Sequence, residues 1–123
     1  MTKILIVDDE DNLRELYKLE FVDEGLDVVL AENGFEGVDK FKKEDPDLVI
    51  VDIRMPGMDG LETISRILNQ DRKCPIIIHS AYPHYQDNFL SWNADAFVVK
   101  SSDLSELKEC VFQLLPQNNS NLA

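Results

Sequence analysis

The sequence predicts an α/β protein: a (βα)5, doubly wound domain built on a five-stranded parallel sheet. Two observations carry this expectation. The runs Ile4-Leu5-Ile6-Val7 and Leu48-Val49-Ile50-Val51 are continuous, apolar and rich in branched residues, the pattern of strands buried on both faces. Between such runs lie longer stretches whose apolar residues recur at helical spacing, and that alternation implies right-handed crossovers between parallel strands. The length of 123 residues suits one such domain and is short for two.

Taken in order, the strands are expected at residues 4–7, 27–31, 48–51, 76–79 (behind Pro75) and 96–99. Leu13, Leu16, Tyr17 and Phe21 share one face of a first helix, and Phe35, Val38 and Phe41 one face of a second. Leu61, Ile64, Ile67 and Leu68 define a third helix, and Leu104, Leu107, Val111 and Leu114 the last. Gly25 follows the first helix and Asp45-Pro46 closes the second, while Ser102 or Asp103, with Glu106 beyond, is placed to cap the last. The least regular stretch, residues 83–92, leaves room for a short fourth helix. Residues 1–117 are expected to form the domain and residues 118–123 a disordered polar tail.

The charge is lopsided: 24 acidic against 12 basic residues, a net of -12. Such a surface repels phosphate backbones and anionic lipid, which argues against direct nucleic-acid or membrane binding and suits a cation. No apolar run approaches a membrane span, and the N-terminal stretch is too short for a signal peptide, so a cytoplasmic location is expected. Cys74 and Cys110, far apart and outside any C-x-x-C, read as free thiols in a reducing compartment.

Ligands of open parallel sheets bind beyond the carboxyl ends of the strands. There the sequence places Asp8-Asp9 after the first strand, Asp52 after the third, Ser80 after the fourth and Lys100 after the fifth. Asp residues at strand ends also cap helices, and a strand-end Lys is commonly just solvated. Together, however, the acids repel one another unless a hard divalent cation joins them. Cation, ammonium and hydroxyl then make a seat for a phosphoryl group.

These residues resemble the receiver domains of two-component response regulators. The likeness runs over essentially the whole chain, through Val7-Asp8-Asp9-Glu10, residues 47–60 with Asp52-Ile53-Arg54-Met55-Pro56-Gly57-Met58-Asp59-Gly60, Ser80-Ala81 and Lys100. The resemblance implies a flavodoxin-like sheet of order 2-1-3-4-5. It implies that Asp52 accepts a phosphoryl group from a phosphohistidine of a sensor histidine kinase or phosphotransfer protein. Mg2+ would be held by Asp8, Asp9, Asp52 and the main-chain carbonyl of Arg54. Lys100 would contact the phosphoryl group, Ser80 would move toward it as the switch hydroxyl, and Phe97 would rotate inward as the switch aromatic. The face of fourth helix, fifth strand and last helix would then change, controlling a separate output protein or a phosphorelay and offering a surface for a homodimer. No catalysis beyond self-phosphorylation and self-dephosphorylation is implied.

Several positions depart from the family pattern. Ser101 replaces the usual proline after Lys100, so a trans Lys100–Ser101 bond is expected, since a non-proline cis bond costs about 2.5–4 kcal/mol. Asn93 stands where glycine is common and tolerates a left-handed turn. Tyr82, Tyr85, Phe89 and Trp92 form an aromatic stripe, read equally as core or as a partner surface. Arg54 and Tyr82 flank the phosphoryl position and are expected to slow dephosphorylation. His79 and His84 read as structural or solvated. The rival readings are a receiver-like binding module that works without phosphate and a Mg2+-dependent phosphohydrolase with Asp8 as nucleophile.

Overall fold

The computed structural model describes residues 2–71 and 73–115. The expected tail at 118–123 lies outside them. The chain runs β1 (Lys3–Val7), α1 (Asp11–Asp23), β2 (Asp27–Ala31), α2 (Gly34–Glu44), β3 (Leu48–Val51), α3 (Gly60–Gln70) and β4 (Ile76–Ser80). A 3-10 segment (Pro83–Trp92), β5 (Ala96–Val99) and α4 (Ser105–Leu114) follow. All strands pair in parallel, in the order β2-β1-β3-β4-β5. The expected (βα)5 flavodoxin-like architecture is therefore present, with one change of winding. The fourth crossover is a 3-10 helix. Such a helix rises about 2.0 Å per residue against about 1.5 Å for an α-helix, so a short segment spans more of the return path along the sheet.

Each face of the sheet carries its own apolar layer. Leu5, Val7, Val49, Val51, Ile76, Ile78 and Phe97 face α2, α3 and the 3-10 segment. Ile4, Ile6, Leu48, Ile50, Ile77 and Val98 face α1 and α4 through Tyr17, Phe21, Leu107 and Val111. Burial on both faces explains why the central strands carry no polar alternation. Among the described residues, no helix is long and apolar enough to cross a membrane. Cys74 and Cys110 are both free thiols.

Two residues assigned by periodicity to buried faces turn outward. Leu16 is 40% exposed and Phe35 60%. The cause at Phe35 is the glycine line of α2: a Cβ at Gly37 would lie 2.8 Å from Val7 Cγ2, and one at Gly34 would lie 2.4 Å from Thr63 Oγ1. The helix sits so close to β1 and α3 that Gly34, Gly37 and Phe41 form its contact face, which rotates Phe35 to the rim. On α1, Tyr17 and Phe21 fill the contact line instead of Leu16.

The helix ends largely follow the sequence punctuation. Gly25 is left-handed after α1, and Asp45 takes the left-handed cap of α2 before Pro46. Asn93 also adopts positive φ, as expected. There is no cis peptide among the described residues, so Lys100–Ser101 is trans. The cap of α4 differs from expectation. Its N-cap is Leu104, and Asp103, one residue earlier, accepts instead from the Ser105 backbone N–H at 2.9 Å and from its hydroxyl at 2.6 Å.

Candidate functional site

Strand register brings the acids together. The parallel ladder runs one residue past the ends of the strands: Asp8 N–H donates to the Ala31 carbonyl (3.1 Å), Asp52 N–H to the Val7 carbonyl (3.0 Å) and Lys100 N–H to the Ser80 carbonyl (2.8 Å). Asp8 and Asp52 thus leave adjacent strands at one level, and Lys100 leaves β5 at the same edge. Its side chain crosses β4 to reach both carboxylates, with Nζ 2.9 Å from Asp8 Oδ2 and 3.0 Å from Asp52 Oδ2. Glu10 Oε1 lies 3.6 Å from the same ammonium.

The loop after β3 is shaped to start α3 against the acceptor. Asp59 caps that helix by accepting from Glu62 N–H at 2.9 Å, and Gly60 N–H donates to the Ile53 carbonyl at 2.8 Å. A Cβ at Gly60 would stand 2.2 Å from the Asp52 carbonyl oxygen. Only glycine permits that approach, which accounts for the Asp59-Gly60 pair in the sequence.

Asp8 and Asp52 are both buried. Burial raises the pKa of Asp52 above its ordinary value; Lys100 opposes the shift, Asp8 adds to it, and the Arg54 backbone N–H opposes it through a hydrogen bond. Burial lowers the Lys100 pKa, but the hydrogen bond to Asp8 and the charges of Asp8 and Asp52 outweigh it, so the ammonium is held above its usual range. The result is a nearly dry carboxylate beside a permanent cation.

One carboxylate oxygen from each of Asp8, Asp9, Glu10 and Asp52 lies within 4.8 Å of the others. A compact, all-oxygen donor set of this kind fits a hard divalent ion such as Mg2+. Glu10 stands in the sequence motif without an assigned role; its place in this group depends on the turn after β1, where its N–H donates to Asp8 Oδ1 at 2.9 Å.

The other predicted residues divide. Ser80 is buried at the end of β4, and its Oγ accepts from Tyr82 N–H at 3.0 Å. Arg54 stacks its guanidinium 4.7 Å from the Tyr82 ring centroid. Phe97 is not at the acidic edge: at 8% exposure its ring is already packed inward in the layer joined by Tyr85 and Trp92. The aromatic stripe accordingly splits, with Tyr85 and Trp92 half-buried and Tyr82 exposed; the Phe89 side chain lies outside the described residues. His79 is buried in the sheet with its ring edge against Tyr17, 5.3 Å between centroids, and His84 is exposed.

Comparison with known proteins meets this geometry. The response regulator receiver domain family matches residues 4–112. Sporulation initiation phosphotransferase F of Bacillus subtilis (strain 168) is 36% identical over 116 residues, covering 93% of this chain and 94% of that protein. Regulatory protein AtoC of Escherichia coli (strain K12) is 35% identical over 117 residues, 94% of this chain, yet the chain spans only 25% of AtoC. Among solved structures, response regulator protein TrrA of Thermotoga maritima in complex with Mg2+-BeF superimposes with a TM-score of 0.88 at 49% identity, covering 94% of this chain and all of that one. TrrA in complex with histidine kinase ThkA gives 0.86 at 48% identity, again over 94% of this chain and all of TrrA. With the strand order, the acidic edge and the bridging Lys100 in place, these matches show that the chain belongs to the response regulator receiver domain family.

Proposed function

We propose that this domain is a phosphorylation-driven signalling switch whose acceptor is Asp52. The observation that carries the reading is the Lys100 ammonium shared between Asp8 and Asp52 amid four converging carboxylates. Asp8, Asp9, Asp52 and the Arg54 main-chain carbonyl would hold Mg2+, which supplies charge neutralisation for phosphoryl oxygens. An Asp52 carboxylate oxygen attacks the phosphorus of a phosphohistidine, the P–N bond breaks, the imidazole leaves and an acyl phosphate forms. Lys100 then passes from the Asp52 oxygen to a phosphoryl oxygen, keeping the added charge paired. The donor is a sensor histidine kinase or phosphotransfer protein, as the TrrA–ThkA complex suggests by analogy.

The switch would run through Ser80. Its hydroxyl, now bound by the Tyr82 N–H, turns toward the phosphoryl group and draws the chain after β4 with it. Phe97 lies beneath that segment, and its inward packing favours one arrangement of the face made by the 3-10 segment, β5 and α4. Phosphorylation shifts the population only as far as it binds one arrangement better than the other. That face would meet the output protein, the next member of a relay or a second copy of the domain, in the cytoplasm. The domain spans residues 1–117 on this reading, and its own chemistry is limited to gaining and losing the phosphoryl group.

Incubation with acetyl phosphate and Mg2+, followed by borohydride trapping and mapping, tests the acceptor. A single adduct on Asp52, lost in Asp52→Asn, is the expected result. An adduct on Asp8 would instead indicate a hydrolase, and no adduct a phosphate-independent binding module.

A further inference from the structure

Arg14 lies in the first turn of α1, where a cation faces the positive end of the helix dipole, an unfavourable place. Its contacts explain the position. Nη1 donates to the main-chain carbonyl of Asp8 at 2.7 Å, while Nη2 pairs with the Asp11 carboxylate and lies 3.9 Å from Glu32. The side chain is only 11% exposed, folded back over the junction between β1 and α1.

Every other polar group of Asp8 is also held. Its N–H donates to Ala31, Oδ1 accepts from Glu10 N–H and Oδ2 pairs with Lys100. The carbonyl marks the point where the chain leaves β1, and its direction sets the plane of the Asp8–Asp9 peptide. That plane in turn sets where the Asp9 carboxylate points.

We infer that Arg14 is a positioning residue for the divalent-cation site, fixing the Asp8–Asp9 peptide so that both carboxylates address one ion. The inference rests on the metal reading above. A guanidinium that acted only as a charge would do the reverse, repelling a nearby cation, so removing it would tighten binding. The two accounts differ in sign.

The test is Mg2+ binding to the full chain by calorimetry, without a phosphodonor and at fixed ionic strength. Relative to wild type, Arg14→Ala is expected to weaken Mg2+ binding by about tenfold or more, as for loss of a group that orients metal ligands. Arg14→Lys keeps the charge but loses the planar fork and is expected to weaken it by about threefold or more. As a second readout, the rise in Tm produced by Mg2+, measured against each variant's own metal-free Tm, should shrink in the same order. Binding by Arg14→Ala as tight as wild type, or tighter, overturns the inference. Should Arg14→Ala fail to fold, Arg14→Lys decides: unchanged affinity overturns the inference and weakened affinity supports it. A wild-type chain that binds no Mg2+ overturns the metal reading itself, an outcome separate from any difference between variants.

Discussion

At the ends of β1 and β3 the chain is pinned by its backbone, whereas beyond the end of β4 the described side-chain contacts are largely between rings. On the first side, ladder bonds fix Asp8 and Asp52, and Gly60 N–H ties the start of α3 to Ile53. On the second, the 3-10 segment rests on Tyr82, His84, Tyr85 and Trp92, with His84 and Tyr85 4.3 Å apart and Tyr85 and Trp92 5.8 Å apart. Most residues of that segment up to Asn88 are exposed. Ring contacts of this kind tolerate several geometries, and 3-10 bonds are poorer than α-helical ones. The difference suits the proposed switch: the groups that would position phosphorus are kept in one arrangement, while the surface proposed to report it could change at small cost.

The steepest test of the pinned side is Gly60→Ala. The added Cβ meets the Asp52 carbonyl at 2.2 Å and Ile53 Cα at 2.7 Å, both backbone obstacles that no rotamer relieves. Urea denaturation is expected to show a loss of about 3 kcal/mol. Gln86→Ala, at an exposed site in the 3-10 segment, should stay within about 0.5 kcal/mol of wild type. Equal costs at the two sites would break the contrast.

His79 probes the seam between the sides, on β4 just before Ser80. It is 1% exposed, its Nδ1 has no hydrogen-bond partner among the described residues, and burial, with Lys100 nearby, lowers its pKa to about 4. Because the folded value lies below the unfolded 6.5, the unfolded chain binds the proton first. Its contribution to stability is therefore present above pH 6.5 and lost as pH falls from there toward about 4. The full shift corresponds to roughly 3 kcal/mol. As pH falls across this window, the unfolding free energy of wild type should drop relative to that of His79→Leu by up to roughly 3 kcal/mol. Parallel curves would show that His79 carries no such penalty.

What could be read without coordinates follows the same division. Strand runs and strand-end residues are properties of a line, so the sequence alone puts Asp8, Asp9, Asp52, Ser80 and Lys100 at strand ends along one edge. The direction of Phe35 is not legible in the same way, because it depends on how closely Gly34 and Gly37 let α2 approach Val7 and Thr63, a distance no periodicity contains. The winding of residues 83–92 likewise depends on the span to be crossed. Arg14 carries no sequence signal of its own, because its partner on Asp8 is a main-chain carbonyl and every residue has one. The spacing from Asp8 to Arg14 is a usable signal only once α1 is known to start at Asp11.

Tyr82 stitches the two sides together, and it gives the smallest and most specific prediction. Its ring lies beneath the Arg54 guanidinium from the β3 loop, and its N–H holds the Ser80 hydroxyl. An exposed cation–π contact is worth about 0.5–1 kcal/mol, equivalent to a rate change of roughly two- to fivefold if it is lost when water attacks. If ring and guanidinium together hinder the in-line water at phosphorylated Asp52, Tyr82→Ala should accelerate loss of phosphate by about that factor. Arg54→Ala should do the same. The double variant should be no faster than the faster single, since either change removes the one contact. An unchanged rate in Tyr82→Ala would sink the idea, and additive effects would show that the residues act separately. Pairing would mean that turning Ser80 toward a phosphoryl group also pulls on the Tyr82–Arg54 contact. The movement that reports phosphorylation would then disturb the cover that prolongs it, linking signal strength to signal lifetime through one side chain.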